Sequence, residues 1–255
     1  MSPTRSSAPL VSSTSGLRTY LRHSREPLTA TILVLPLFVA YQVGILLTGG
    51  LRNGVDFITD GLMLALGGSL PGYLVFNAII LAAFGGAIVA LRKKGQFHPR
   101  LIPWMLLESV VYALLFSQVV VVLIHLFQLD VLLAAGAQPQ DKNLLQKLVM
   151  SIGAGLYEEL VFRVIIMGGI VLALTRVLRM RLAVAGVIGL VVSSLIFSAV
   201  HHLGPLGEAF TLSAFTFRFF AGVVLAAIFQ LRGFAIAAYT HALYDVYVMV
   251  FRGEG

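Results

Sequence analysis

Hydrophobic positions in this chain fall into long runs, not into the stripes of amphipathic helices or the alternation of half-buried strands. Seven runs follow one another, at residues 28–47, 73–91, 102–126, 148–174, 182–202, 211–231 and 234–251. Each is close to the roughly 20 residues that an apolar helix needs to cross a bilayer. The hydrocarbon offers no water to backbone N–H and C=O groups, so a spanning segment must be a helix or belong to a closed barrel. Barrel alternation is absent, and helices are the reading that remains. The predicted fold is therefore all-α, a multi-spanning transmembrane bundle of about seven helices, within a range of six to eight. A shorter apolar piece, 61–66, cannot cross alone and is expected at the interface or in a re-entrant turn.

The stretch before the first run, residues 1–27, is rich in Ser and Thr and carries Arg5, Arg18, Arg22 and Arg25. It is expected to be a flexible basic tail. The run behind it is too long, and lacks a clear small-residue cleavage site, for a signal peptide. Residues 28–255 then form one transmembrane domain, with no internal repeat.

Composition strengthens the membrane reading. Hydrophobic residues make up 58% of the 255 and charged residues only 11%, against about 25% charged in soluble domains. With no cysteine in the sequence, disulfides, thiolate metal sites and a cysteine nucleophile are excluded. The net charge of +7 reads as loop charge in a membrane protein, not as a nucleic-acid surface. Its distribution sets an orientation. One side collects the four tail arginines, Arg92, Lys93, Lys94, Arg100, Arg176, Arg179, Arg181 and Arg232, while the other holds Arg52, Lys142, Lys147 and Arg252. The N-terminus is therefore expected in the cytoplasm.

Ionisable groups inside spans cost at least ~2.5 kcal/mol on insertion scales, so they persist where they are paired or used. The fourth run contains Glu158, Glu159 and Arg163. On an α-helix Glu159 and Arg163, four apart, share a face and can pair, while Glu158 points elsewhere. Such a pair alone would read as a structural pin between helices; the second carboxylate asks for a partner of its own. The fifth run ends with Phe197 and His201, and the seventh contains His241 and Asp245 at i,i+4. That spacing lets both side chains face one ion, or lets the carboxylate orient the imidazole. A lone membrane histidine is usually a packing residue. Glu, two His and Asp drawn from three helices are the set that activates water. Neither H-E-x-x-H nor G-x-S-x-G occurs.

A rise of 1.5 Å per residue places Glu158 ~15 Å into its run, His241 ~11 Å and Asp245 ~17 Å, near the midplane. His201 falls ~10 Å too far out. Agreement requires a fifth span that extends through Leu206, tilted helices, or the reverse orientation.

Three motifs stand in order: E-E-x-x-x-R at Glu158, Glu159 and Arg163, F-x-x-x-H at Phe197 and His201, and H-x-x-x-N/D at His241 and Asp245. Over about residues 145–250 the chain resembles the CAAX-processing and bacteriocin-processing (Abi) intramembrane peptidases, the type II CAAX prenyl endopeptidase family. The resemblance implies an intramembrane endopeptidase in which Glu158 activates water. His201, His241 and Asp245 would bind or orient water, a metal or the oxyanion, with Glu159 and Arg163 in support. A divalent metal such as zinc, held by Glu158, His201, His241 and Asp245, is the cofactor such a set implies. Asp245 stands where the prenyl endopeptidases usually carry Asn, and an ionised carboxylate would repel an oxyanion. Expected partners are the bilayer and a peptide or protein substrate, lipidated if the cell prenylates it, in a bacterial or archaeal cell membrane. A non-catalytic immunity or binding protein on the same scaffold is the alternative, and a proton-coupled transporter ranks behind it for want of repeats.

Overall fold

The computed structural model describes residues 13–127, 129, 142–203 and 207–252. Arg5 of the basic tail and Leu206, the end considered for the fifth span, lie outside them. The described residues are helical throughout, with short connections and no strand. In chain order the helices are α1 (Ser13–His23), α2 (Pro27–Leu47), α3 (Phe57–Ala65), α4 (Leu70–Arg92), α5 (Ile102–Leu126), α6 (Leu144–Gly153), α7 (Gly168–Arg176), α8 (Leu182–Val200), α9 (Leu212–Arg232) and α10 (Phe234–Val246). A π-helical segment, Ala154–Met167, joins α6 to α7, and a second, Tyr247–Arg252, continues α10.

Six helices are long and apolar enough to cross a membrane: Pro27–Leu47, Leu70–Arg92, Pro99–Leu126, Leu182–Val200, Leu212–Arg232 and Phe234–Phe251. They coincide with six of the seven expected runs. The other run is helical without a break from residue 144 to 176, but the π-helical segment divides it. The 61–66 piece falls mostly within the short α3. The stretch read as a flexible tail carries α1, whose side chains help to hold it: Tyr20 donates to Glu108 of α5.

Local chemistry sets the boundaries. Pro27 opens α2, where its missing N–H costs nothing. Ser69 caps α4 through Gly72 N–H, and Thr211 caps α9 through Ala214 N–H. Asn143 and Gln146 close a reciprocal capping box on α6. Gly233, at φ +89°, ends α9 and starts α10 with no intervening loop.

Helix α10 is the axis of the assembly and packs on α2, α5, α6, α9 and the π-helical segment. Its Ala235, Ile236, Ala237, Ala238 and Ala242 are all buried, and such small side chains let neighbouring backbones approach. By contrast α4 buries only Tyr73, and presents Leu74, Val75, Ile79 and Val89 outward, as a helix bathed in lipid must.

Candidate active site

The two adjacent carboxylates sit on the π-helical segment, where backbone bonds run i→i+5 and each turn holds more residues than in an α-helix. Neighbouring side chains therefore diverge less, and both carboxylates reach one ring. Glu159 Oε1 accepts from His241 Nδ1 at 2.9 Å, and Glu158 Oε2 lies 3.8 Å from Nε2 of the same imidazole. On its other side Glu158 Oε2 is 3.5 Å from His201 Nε2. Asp245 Oδ2 is 3.8 Å from His241 Nε2. The structure thus brings together every residue singled out from the sequence, including His201, whose depth did not agree.

Arg232, at the α9–α10 turn, is buried and ion-paired to Glu108, its Nη2 2.8 Å from Oε2, and its Nη2 also donates to Ser24 at 2.9 Å. Helix α1 and Ser24 cover the turn, so α10 starts inside the protein. Its His241 meets the end of α8, the ring centroid 6.2 Å from that of Phe197.

Hydrogen bonds fix both imidazole tautomers. Only an N–H can donate to a carbonyl, so His201 Nδ1–H donates to Phe197 O at 2.7 Å. His241 Nδ1–H likewise donates to the Glu159 carboxylate. In the neutral rings both Nε2 atoms are therefore lone pairs, and both face Glu158 Oε2, itself buried with no hydrogen-bond partner. A buried acceptor surrounded by acceptors is a costly arrangement. It becomes favourable when a water, a cation or an added proton supplies positive charge or N–H and O–H donors.

Arg163 and Glu159 lie wholly buried, Nε to Oε2 at 3.2 Å. The contact is an ion pair by distance but is too poorly aligned for a hydrogen bond. The guanidinium also lies 4.8 Å over the Phe197 ring. Phe197 also packs against His201, with centroids 4.6 Å apart and the rings tilted by 58°. This residue therefore ties its motif to the E-E-x-x-x-R motif through its ring and to His201 through its carbonyl.

Two glycines make room for the arrangement. A Cβ at Gly155 would lie 2.4 Å from Ala238 O, so glycine is required where α10 crosses the π-helical segment. A Cβ at Gly153 would lie 2.4 Å from the Tyr41 ring and 3.0 Å from Asn53. The helix changes from α to π just after Gly153 and does not break there, as these glycines could have made it do.

Asn53 had no place in the sequence reading. Its Nδ2 donates to Glu158 Oε1 at 3.0 Å. It comes from the connection between α2 and α3, and its backbone N–H donates to Tyr41 Oη at 2.8 Å. Behind it Gln42 donates to Tyr157 Oη at 2.9 Å, and Tyr73 donates to Gln42. The only sequence signal at Asn53 is the Asn-Gly pair, which announces a turn and nothing about a partner 105 residues away.

Glu158 approaches both His201 and His241, and Asp245 approaches His241, but these donors do not converge as a three-donor cluster within 4.8 Å. The tighter His/Glu/His cluster capable of holding a divalent ion lies elsewhere: donors of His23, Glu26 and His98 all fall within 4.8 Å of one another.

Residues 140–247 match the family model described as "Type II CAAX prenyl endopeptidase Rce1-like". That segment contains all three motifs, and the resemblance read from them is borne out. The matched part of the chain is CAAX-protease-like, in a bundle of membrane-length helices. Helices α2, α4 and α5, and with them Asn53, lie outside the match. No curated protein and no solved structure matches the chain.

Proposed function

We propose that this protein is an intramembrane endopeptidase of the CAAX-protease type, hydrolysing a peptide bond of a membrane-associated peptide or protein. The observation that carries the reading is the buried, unpartnered Glu158 Oε2, faced by two imidazole nitrogens with their lone pairs inward. A water in this pocket donates one O–H to Glu158 and the other to an imidazole. Its oxygen attacks the carbonyl carbon while Glu158 takes the proton. The tetrahedral adduct collapses, the C–N bond breaks, and Glu158 returns the proton to the leaving nitrogen.

Protonation of His201 or His241 turns Nε2 from acceptor to donor and so provides for the oxyanion. Asp245 stands 3.8 Å from His241 Nε2 and helps to orient the ring. Glu159 holds the tautomer and Arg163 compensates Glu159. A divalent ion bound by Glu158, His201, His241 and Asp245 would add Lewis acidity at the carbonyl.

A cavity of about 660 Å³ lies beside the Glu158 helix. Tyr157, Leu160, Val34, Phe38, Phe84 and Phe234 are among its lining, and Arg25 stands at its rim. Such a lining suits an apolar chain, which favours a lipidated or strongly hydrophobic substrate. We place the N-terminus in the cytoplasm from the distribution of basic residues.

The test compares membrane peptides from cells carrying the wild type and Glu158→Gln. Peptides that accumulate uncut only in the variant identify the substrate. Undiminished cleavage by a correctly inserted variant would sink the proposal.

A further inference from the structure

We propose that His23, Glu26 and His98 form a second site, for a zinc-class divalent cation, which clamps α1 to the loop between α4 and α5. These residues come from three elements. His23 is in the last turn of α1, Glu26 precedes Pro27 at the start of α2, and His98 precedes the short 3₁₀ turn Pro99–Leu101. None belongs to the motifs or to the matched segment. All lie at the end of the bundle that carries Arg92, Lys93, Lys94 and Arg100.

Several observations point to a ligand. Donor atoms of all three residues lie within 4.8 Å of one another. Glu26 occupies the N-cap position of α2, yet its carboxylate makes no capping bond there. It turns back instead, to within 2.5 Å of His23 Nδ1. Its other oxygen, Oε2, is buried with no hydrogen-bond partner, as is His98 Nε2. Glu26 Oε2 faces the α4–α5 loop, 3.6 Å from where a Cβ on Gly95 would stand. The two imidazole rings lie 4.2 Å apart between centroids.

Two buried polar atoms without hydrogen-bond partners, Glu26 Oε2 and His98 Nε2, thus lie beside the His23–Glu26 contact. The neighbouring Arg18, Arg22, Arg25, Arg92, Lys93, Lys94 and Arg100 are exposed, and their repulsion is screened at physiological salt.

Two imidazoles and one carboxylate suit zinc and exclude a preference for magnesium or calcium, which take oxygen ligands. The ion replaces the proton that His23 Nδ1 shares with Glu26. Arg22 Nη2, which lies 3.3 Å from His23 Nε2, then swings into solvent as that nitrogen gains its proton. Three protein ligands leave the fourth position to water.

The experiment uses the purified full chain, stripped with a chelator and titrated with zinc chloride against a chromophoric competitor. Wild type and Glu158→Gln are each expected to bind the ion. His98→Gln and Glu26→Gln should weaken that ion at least tenfold while circular dichroism stays unchanged. Zinc should slow tryptic cutting at Arg18, Arg22 and Arg25 several-fold in wild type and not in His98→Gln. Absence of binding in the wild type overturns the proposal. So does binding that survives unweakened in both His98→Gln and Glu26→Gln when Glu158→Gln is also present. An ion lost in Glu158→Gln and kept in His98→Gln also overturns it, and assigns the metal to the membrane site. Peptide cleavage is read separately, so failure here leaves the peptidase reading standing.

Discussion

The protein carries two clusters of histidine and carboxylate, and they are built in opposite ways. The cluster around Glu158 is buried, spread over three helical elements, and braced by charge: Glu159, Arg163 and Asn53 each occupy one flank. That around His23 is compact, lies at chain turns, and is only partly buried. Closeness of donors alone would rank the second above the first as a metal centre. Position decides differently. A carboxylate held in a dry bundle, with imidazole lone pairs turned on it, is set for moving protons, whereas a tight triad at a helix junction is set for holding elements together. Predictions that separate the two follow from this difference.

The largest expected effect is on the chemistry. Glu158→Gln should lower cleavage by about 10²–10⁴-fold, the usual contribution of a general base. Glu26→Gln should leave cleavage within a few-fold of wild type. The same substrate, assayed in parallel in reconstituted vesicles, gives both numbers. Equal loss in the two variants would collapse the distinction.

Next comes the bracing. Arg163→Leu leaves Glu159 buried without its countercharge, and breaking a buried pair from one side costs about 3–5 kcal/mol. Thermal unfolding in detergent should show a large drop in Tm. Arg163→Lys should rescue little, because a point charge cannot lie flat over Phe197 as the guanidinium does. Gly155→Ala should destabilise by about 1–3 kcal/mol, as overpacking does, since its new methyl meets a backbone carbonyl that no rotamer change can move. Full stability in that variant would show that α10 packs on the π-helical segment less closely than 2.4 Å implies.

How far the sequence revealed all this depended on the kind of signal. The spanning helices were legible because each is a run of apolar residues whose length the bilayer dictates. The site residues were legible because charge in a hydrocarbon environment is costly and stands out: Glu158, Glu159, Arg163, His241 and Asp245 needed no structure to be noticed. His201 was noticed, but a count of residues along helices from assumed membrane surfaces did not bring it level with Glu158, which it approaches to 3.5 Å. Asn53 was invisible. It is a small polar residue in a loop, where Asn is ordinary, and its partner is set by how α2 and α6 pack around Gly153. The π-helical winding was hidden as well, because hydrophobic periodicity cannot tell i→i+5 bonding from i→i+4 over the 14 residues it spans.

Asn53 offers a test of intermediate size. Asn53→Ala removes one donor from Glu158, and a hydrogen bond to a charged group is worth about 1.5–3 kcal/mol. Cleavage should fall about tenfold or somewhat more. The acidic limb of its pH profile should move upward, because the ionised form of the base loses a stabilising contact. A purely structural role would lower the rate without moving that limb.

The smallest effect concerns the loop beside His201 and His202. Burial alone would raise the Glu208 pKa, but the Arg218 hydrogen bond and charge outweigh it and hold the carboxyl below its usual range. A depressed carboxyl contributes stability at pH values above its unfolded pKa, and loses it as the pH falls through the folded one. The two side chains are 32% and 36% exposed, so solvent screens the pair and keeps its contribution below about 1 kcal/mol. Unfolding temperatures of wild type and Glu208→Gln should therefore differ slightly at neutral pH and converge as the pH drops below about 4, the range where an unfolded Glu titrates. Because His202 Nδ1 donates to Glu208 O at 3.3 Å through the backbone, the substitution keeps that contact. Any loss of cleavage larger than the loss of stability would then mean that the Glu208–Arg218 pair also holds the end of α8, and with it His201, against Glu158.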